Sequence, residues 1–264
     1  MIPSLQPAGR TGSSGPESGT QRRQPVAGRQ LPPELIGVCV LAFHNVVMHR
    51  LLPAPADSVT NLAIAIGLAR FARRVGCSAG DLGIRPDDAA SGLRLGLVAA
   101  GAAGGAVAAG AALPATRRFF HDRRVSEVGR GEAGYHLALR IPFATALAEE
   151  LLFRGALLAL FRRRRGTANA VLWTSLAFGA WHVLPTLDHY EGNPVSTLVD
   201  DAGRGRGLAL LATTLSTAAA GGGFSWLRLR SRSLLAPVLA HAAVNVSAYL
   251  AGRRIALGRR TAAP

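Results

Sequence analysis

GYHLALRIPFATALAEELLFRGALLALF, residues 134–161, is long and apolar enough to cross a bilayer, yet its second half carries Glu149, Glu150 and Arg154. About 20 residues rising 1.5 Å each cross a hydrocarbon core of about 30 Å. A backbone in lipid has to satisfy its own polar groups, and the alternating pattern of a membrane barrel is absent here, so the segment reads as a spanning helix. Ionisable groups at such a depth are costly and mark functional sites whose partners sit on other helices.

Two further apolar segments have the same character. Residues 168–187 contain Phe178-Gly-Ala-Trp-His182, and residues 233–252 contain His241-Ala-Ala-Val-Asn245. Apolar segments of this kind recur at roughly 35–50, 58–72, 92–115, 134–161, 168–187, 207–227 and 233–252. The expected fold class is all-α: a polytopic transmembrane helical bundle of about seven spans, with a disordered N-terminal tail. The second span is short and carries Arg70, while the third is an Ala/Gly run whose small residues suit close helix approach.

Composition agrees. The 264 residues are 49% hydrophobic and 17% charged, more apolar and more segmented than an ordinary soluble domain. The formal net charge is +15 and all of the basic side chains are arginine, clustered at the ends of apolar segments, where topology-setting charge belongs. These runs lack the aromatics and modules of a nucleic-acid surface, so no nucleic-acid partner is expected. Cys39 and Cys77 make no metal or redox spacing.

Four regions follow. Residues 1–32, rich in Gly, Ser, Pro, Gln and Arg, bury too little to order and form a tail, not a signal peptide. Residues 33–130 hold N-terminal transmembrane helices and a basic connecting loop, residues 131–255 the core with the three motifs, and residues 256–264 a C-terminal tail. Arg162–Arg165 and Arg228, Arg230 and Arg232 belong on the cytoplasmic side, and the intervening loop with Asp188, Glu191, Asp200 and Asp201 outside. The stretch Arg117-Arg118-Phe-Phe-His-Asp-Arg123-Arg124 resists this scheme and would lie on the outer side, as an interfacial amphipathic segment or through a span miscounted before it.

Glu150 and Arg154 are four apart with the acid first, the favourable order for an ion pair on one helical face. Glu149 stands about 100° round an ordinary helix from Glu150, so Arg154 is expected to hold Glu150 structurally while Glu149 faces a reaction centre. Phe178 and His182 are four apart, as are His241 and Asn245, which places an aromatic or an amide one turn from each imidazole. Counted from the arginine runs at ~1.5 Å per residue, Glu149 lies ~20 Å deep, His182 ~21–24 Å and His241 ~12–14 Å, close enough to share one chamber. Bland readings remain beside this one: glutamates that only tie helices together, a satisfied core histidine at position 182, and Asn245 as an interhelical hydrogen-bond bridge.

Two chemistries fit the residue types. Glu149, His182 and His241 could ligate Zn²⁺, which lowers the pKa of a bound water to about 7. Alternatively, without metal, Glu149 with His182 takes a proton from water while His241 and Asn245 donate to the oxyanion that develops at a scissile carbonyl. There is no His-Glu-x-x-His pair on one helix, so an ordinary zincin arrangement is absent.

The motif set Glu-Glu-x-x-x-Arg, Phe-x-x-x-His and His-x-x-x-Asn, in this order on successive helices, resembles the CAAX-processing and bacteriocin-processing (CPBP) intramembrane proteases, also called the type II CAAX prenyl endopeptidase or ABI family. The resemblance covers roughly residues 134–252, and Gly223–Pro237 also looks like that family's approach to its third motif. It implies an intramembrane endopeptidase, a metalloprotease if zinc is its cofactor, in which Glu149, His182, His241 and Asn245 are catalytic and Glu150, Arg154 and Phe178 support them. It implies as partners the lipid bilayer and a membrane-associated peptide or protein substrate. The lysine-free, Ala/Arg/Gly-rich composition resembles that of a bacterium of high genomic G+C, so the expected location is the plasma membrane, multi-pass, and prenylated CAAX substrates are not expected. The alternative is a catalytically silent scaffold or bacteriocin-immunity factor that uses the same chamber for binding. A proton-relaying transporter would show paired repeats with broken helices, and no such symmetry is visible.

Overall fold

The computed structural model describes residues 31–51, 56–120, 127–188 and 205–261, with single positions 125 and 190. The expected tail, apart from its last two residues, lies outside the described residues, as do Glu191, Asp200 and Asp201 of the acidic loop and residues 121–124 of the basic stretch. The described residues are all-α, with no strand among them. Seven long helices stand among the described residues: α1 (Pro33–Arg50), α2 (Asp57–Arg74), α3 (Ala89–Ala112), α4 (130–165), α5 (167–181), α6 (Gly205–Ser231) and α7 (Leu235–Thr261). Short turns of helix at Ala79–Leu82 and Pro86–Asp88 precede α3, and Val183–Asp188 extends α5.

Local chemistry explains the boundaries. Pro33 opens α1, where its missing N–H would have been unpaired anyway. Gly166 separates α4 from α5 with φ +74 and ψ 171, a conformation open to glycine at no steric cost. The chain therefore folds back just after the four arginines. Phe153, before the break, meets Phe178 and Trp181, after it, at ring centroid distances of 5.1 and 5.7 Å.

One end of the bundle is rich in arginine. There Arg164 and Arg165 lie 3.6 and 3.5 Å from the Glu34 carboxylate. The buried Arg228 donates through Nη2 to the Gly80 and Asp81 carbonyls, 2.8 Å each. The two basic runs thus share one end. At the other end His49 and Arg50 meet Asp188 at 2.8 and 2.7 Å, and Arg253 donates to the Val128 carbonyl. Arg117 and Arg118, which resisted the orientation scheme, sit just beyond α3, away from the first run.

Three helical stretches have the length and composition to cross a membrane: Ala79–Ala112, Gly205–Ser231 and Leu235–Gly258, with Pro33–Val47 a shorter apolar helix. The expectation of about seven spans is met in the number of long helices, but only roughly in their apolarity. α2 and α4 fall short because they carry Arg70, Arg73 and Arg74 in one case, and Arg140, Glu149, Glu150 and Arg154 in the other. In α4, Glu149, Glu150 and Arg154 are buried against protein.

The small residues of α3 serve close approach, as read from the sequence. A Cβ on Gly96 would lie 2.8 Å from Leu239 and 3.0 Å from the Ala236 backbone, and one on Gly104 would be 3.1 Å from Ser247. α3 and α7 therefore run side by side in the same direction, glycine against glycine-sized gaps. The main core gathers Leu41 of α1, Leu68 and Ala72 of α2, and Leu152, Phe153, Leu157 and Leu158 of α4.

Helix α4 is wound widely. Residues 136–147 and 151–157 form π-helical turns, in which Ala148 N–H bonds to Phe143 and Leu158 N–H to Phe153, five residues back. Pro142 lies inside the first stretch and offers no N–H of its own. Ala148–Glu150, between the two, is ordinary helix, so both glutamates ride on a segment bracketed by wide turns, a feature common at functional sites.

Candidate functional site

Glu149, Glu150, Arg154, Phe178 and His241 come together in the protein interior. Glu150 and Arg154 are completely enclosed, each 0% exposed, and Arg154 Nη1 donates to Glu150 Oε1 at 3.0 Å. The i,i+4 pair expected from the sequence is present. Its other half is unexpected: the same oxygen, Glu150 Oε1, lies 2.8 Å from His241 Nδ1. Glu150 is thus more than a partner for Arg154, because it orients the imidazole of a helix 91 positions away in the chain.

That contact fixes chemistry. An ionised carboxylate only accepts, so toward an ionised Glu150 the donor is His241 Nδ1, and the neutral tautomer selected by that bond has Nε2 as an acceptor. Nε2 lies 3.9 Å from Glu149 Oε2, too far for a direct hydrogen bond. Glu149 Oε2 has no hydrogen-bond partner among the described residues.

The aromatic shell holds these groups in place. Phe178 lies under the Arg154 guanidinium, 4.1 Å from carbon to ring centroid, and Phe224 takes a second face at 5.3 Å. Such contacts stabilise a desolvated guanidinium by about 2 kcal/mol. Phe224 also stacks on His241, with centroids 5.0 Å apart and planes 16° apart. Sequence reasoning assigned Phe224 no role, although it stands in the stretch quoted as the approach to the third motif. The signal was the adjoining Gly221-Gly222-Gly223: a Cβ on Gly221 would lie 2.9 Å from Arg154 Nη2 and 3.2 Å from the Ser175 backbone. Only a glycine lets α6 pass close enough for Phe224 to reach the imidazole.

His182 and Asn245 stand apart from the glutamates. His182 Nδ1 lies 2.7 Å from the Phe178 carbonyl one turn back, and its ring meets the Phe178 ring edge-on at 4.7 Å. A carbonyl accepts only, so His182 donates from Nδ1. Asn45 of α1 supports this helix end by donating to the Trp181 carbonyl at 3.2 Å, and His44 beside it pairs with Asn61 at 3.0 Å. Neither α1 nor α2 figured in the sequence-based site. Asn245 is half-buried one turn beyond His241 on α7, and neither it nor His182 bonds to Glu149 or Glu150 among the described residues.

The proposed ligand set for zinc was Glu149, His182 and His241. Each histidine has Nδ1 within hydrogen-bond distance of an oxygen, the second bond that a metal-binding imidazole commonly makes. Among the described residues no group of three or more His, Cys, Asp or Glu is placed to hold a metal ion.

A family model described as Rce1-like, type II CAAX prenyl endopeptidase Rce1-like, matches residues 133–247. The matched segment is less than half of the chain and contains all seven motif residues. It bears out the resemblance read from the three motifs: the apolar helices suit a multi-pass membrane protein, and residues 133–247 are similar to the type II CAAX prenyl endopeptidases. No characterised protein and no solved structure matches the chain.

Proposed function

We propose that this protein is an intramembrane endopeptidase that hydrolyses a peptide bond of a membrane-associated peptide or protein through a water activated by Glu149. The observation that carries the reading is the unpaired, buried Oε2 of Glu149 facing the bare Nε2 of His241 across 3.9 Å. A water about 2.8 Å from each atom fits that gap and donates one proton to each acceptor. Its lone pair is then left for a carbonyl carbon.

In the attack, the water oxygen bonds to the carbonyl carbon as Glu149 takes a proton, and the carbonyl π electrons move onto oxygen. Collapse expels the amine, which receives the proton held by Glu149. Glu150 keeps His241 in the tautomer that accepts, Arg154 balances Glu150, and Phe178 and Phe224 exclude water from the pair. Asn245 contributes an amide N–H toward the oxyanion, and His182 Nε2 an acceptor for the leaving group. The bacterial plasma membrane is the setting this reading favours, with substrates that carry no prenyl group.

The test is cleavage in liposomes. Wild type, Glu149→Gln and His241→Ala are compared on a panel of membrane-anchored peptides, with metal content measured and cleavage repeated after chelation. Loss of about 10²-fold or more in each variant is expected, with wild-type cleavage surviving chelation. Equal processing by all three proteins overturns the assignment and leaves a binding role for the same residues.

A further inference from the structure

Helices α3 and α6 border a groove of about 450 Å³ lined by Ser91, Arg94, Leu95, Val98, Trp226 and Arg230. It lies away from the glutamates and is no part of the peptidase reading. Arg94 and Val98 are one turn apart on α3, and Trp226 and Arg230 one turn apart on α6, so each helix presents an arginine and an apolar group on one face. α3 runs away from the arginine-rich end and α6 runs toward it, as Arg228 bonding to Gly80 and Asp81 shows. Both arginines therefore sit nearer the membrane surface, and Val98 and Trp226 lie one turn deeper.

This order matches that of a phospholipid. Val98 is 71% exposed and Trp226 58% exposed, large apolar surfaces suited to acyl chains and to the headgroup boundary, where Trp is enriched. Arg94 and Arg230 are exposed and make no hydrogen bond or ion pair among the described residues. Arg228, two residues before Arg230, spends its guanidinium on backbone carbonyls. Two unpaired guanidiniums from separate helices above an apolar floor can grip one phosphodiester from both sides.

We propose that this groove binds an anionic phospholipid, with its phosphate between Arg94 and Arg230 and an acyl chain along Leu95, Val98 and Trp226. Each arginine near the surface favours an anionic headgroup by about fivefold. The pair gives a preference of about 25-fold over a zwitterionic lipid by the same rule.

The full chain in a Trp173→Phe background leaves Trp226 as the exposed tryptophan, since Trp181 is buried. Its fluorescence is quenched in phosphatidylcholine nanodiscs containing brominated phosphatidylglycerol, and in parallel discs with the same fraction of brominated phosphatidylcholine. The expected result is stronger association of the anionic lipid. Arg94→Gln or Arg230→Gln alone should lower the preference by about fivefold, and the double variant should abolish it. Because each single change is at an exposed side chain, the singles report even if the double variant does not fold. Equal quenching by the two lipids, or a preference untouched by the substitutions, overturns the proposal. So does loss of the preference in millimolar inorganic phosphate, which points to a soluble anion, or shielding of Trp226 from both lipids, which points to a contact with a second protein.

Discussion

Removing Arg154 alone should be far more damaging than removing it together with the charge of Glu150. Both side chains are 0% exposed and joined at 3.0 Å, so Arg154→Met strands a carboxylate in the interior and Glu150→Gln strands a guanidinium. Breaking one partner of a buried pair costs about 3–5 kcal/mol, whereas replacing both partners is often close to neutral. Arg154→Met also forfeits the stacking on Phe178 and Phe224, about 2 kcal/mol for a desolvated cation. The double variant keeps that loss but sheds the stranded charge, and the amide introduced at position 150 still offers His241 a carbonyl oxygen. Taking about 4 kcal/mol for each stranded charge, the singles should therefore sum to about 10 kcal/mol and the double variant cost about 2, a coupling of about 8 kcal/mol from the same figures. Equilibrium unfolding in mixed micelles, titrating dodecyl sulfate into dodecyl maltoside, measures all four proteins. Additivity within about 0.5 kcal/mol would show that the two groups do not act as a pair, and refute the reasoning.

Phe224→Ala should lower kcat by about 10–100-fold with KM little changed, because the ring that fixes the plane of His241 is lost while substrate contacts remain; an equal loss in the Glu149→Gln background would refute this. Gly83→Ala should lower the thermal midpoint in detergent: Gly83 has φ +75, and a Cβ there would run into the Arg228 guanidinium, which costs about 1–2 kcal/mol for the backbone alone. Burial works against the charge on Asp188, but its hydrogen bonds from Arg50 and His49 outweigh that and hold the carboxyl below its usual range. Its folded-state pKa is depressed, so its stabilisation is present above the unfolded value near 3.9 and lost as pH falls below it. Asp188→Asn should flatten that acid limb in a thermal-midpoint series against pH, and an unchanged limb would assign the acid sensitivity elsewhere.

The helical class and the ionisable cluster were legible because intramembrane charges are rare enough to name themselves. The role of Glu150 was not. Its second partner, His241, is a long-range contact that spacing within one helix does not show. Depth counting set His241 about 6–8 Å shallower than Glu149 at 1.5 Å per residue, and the two side chains meet at 3.9 Å. The α6–α7 turn is not at the edge of the bundle: Ser231 and Ser233 are buried, and Leu234 N–H bonds to the Gly83 carbonyl beneath the Ala79–Leu82 turn. An arginine run marks the end of a helix in sequence, not the height at which its next residue starts. Phe224 went unread because an aromatic beside three glycines in an apolar helix has no signature until a neighbour approaches.

The stretch that resembles other proteins and the stretch that can stand alone are different parts of this molecule. Residues 133–247 stop short of the end of α7 and omit α1, α2 and α3. Yet α3 fills the glycine-width gap along α7, α1 passes so near α4 that a Cβ on Gly37 would lie 3.1 Å from Leu157, and Asn45 ties the turn before His182. A chain trimmed to the recognisable segment would keep every motif and lose the walls they lean on.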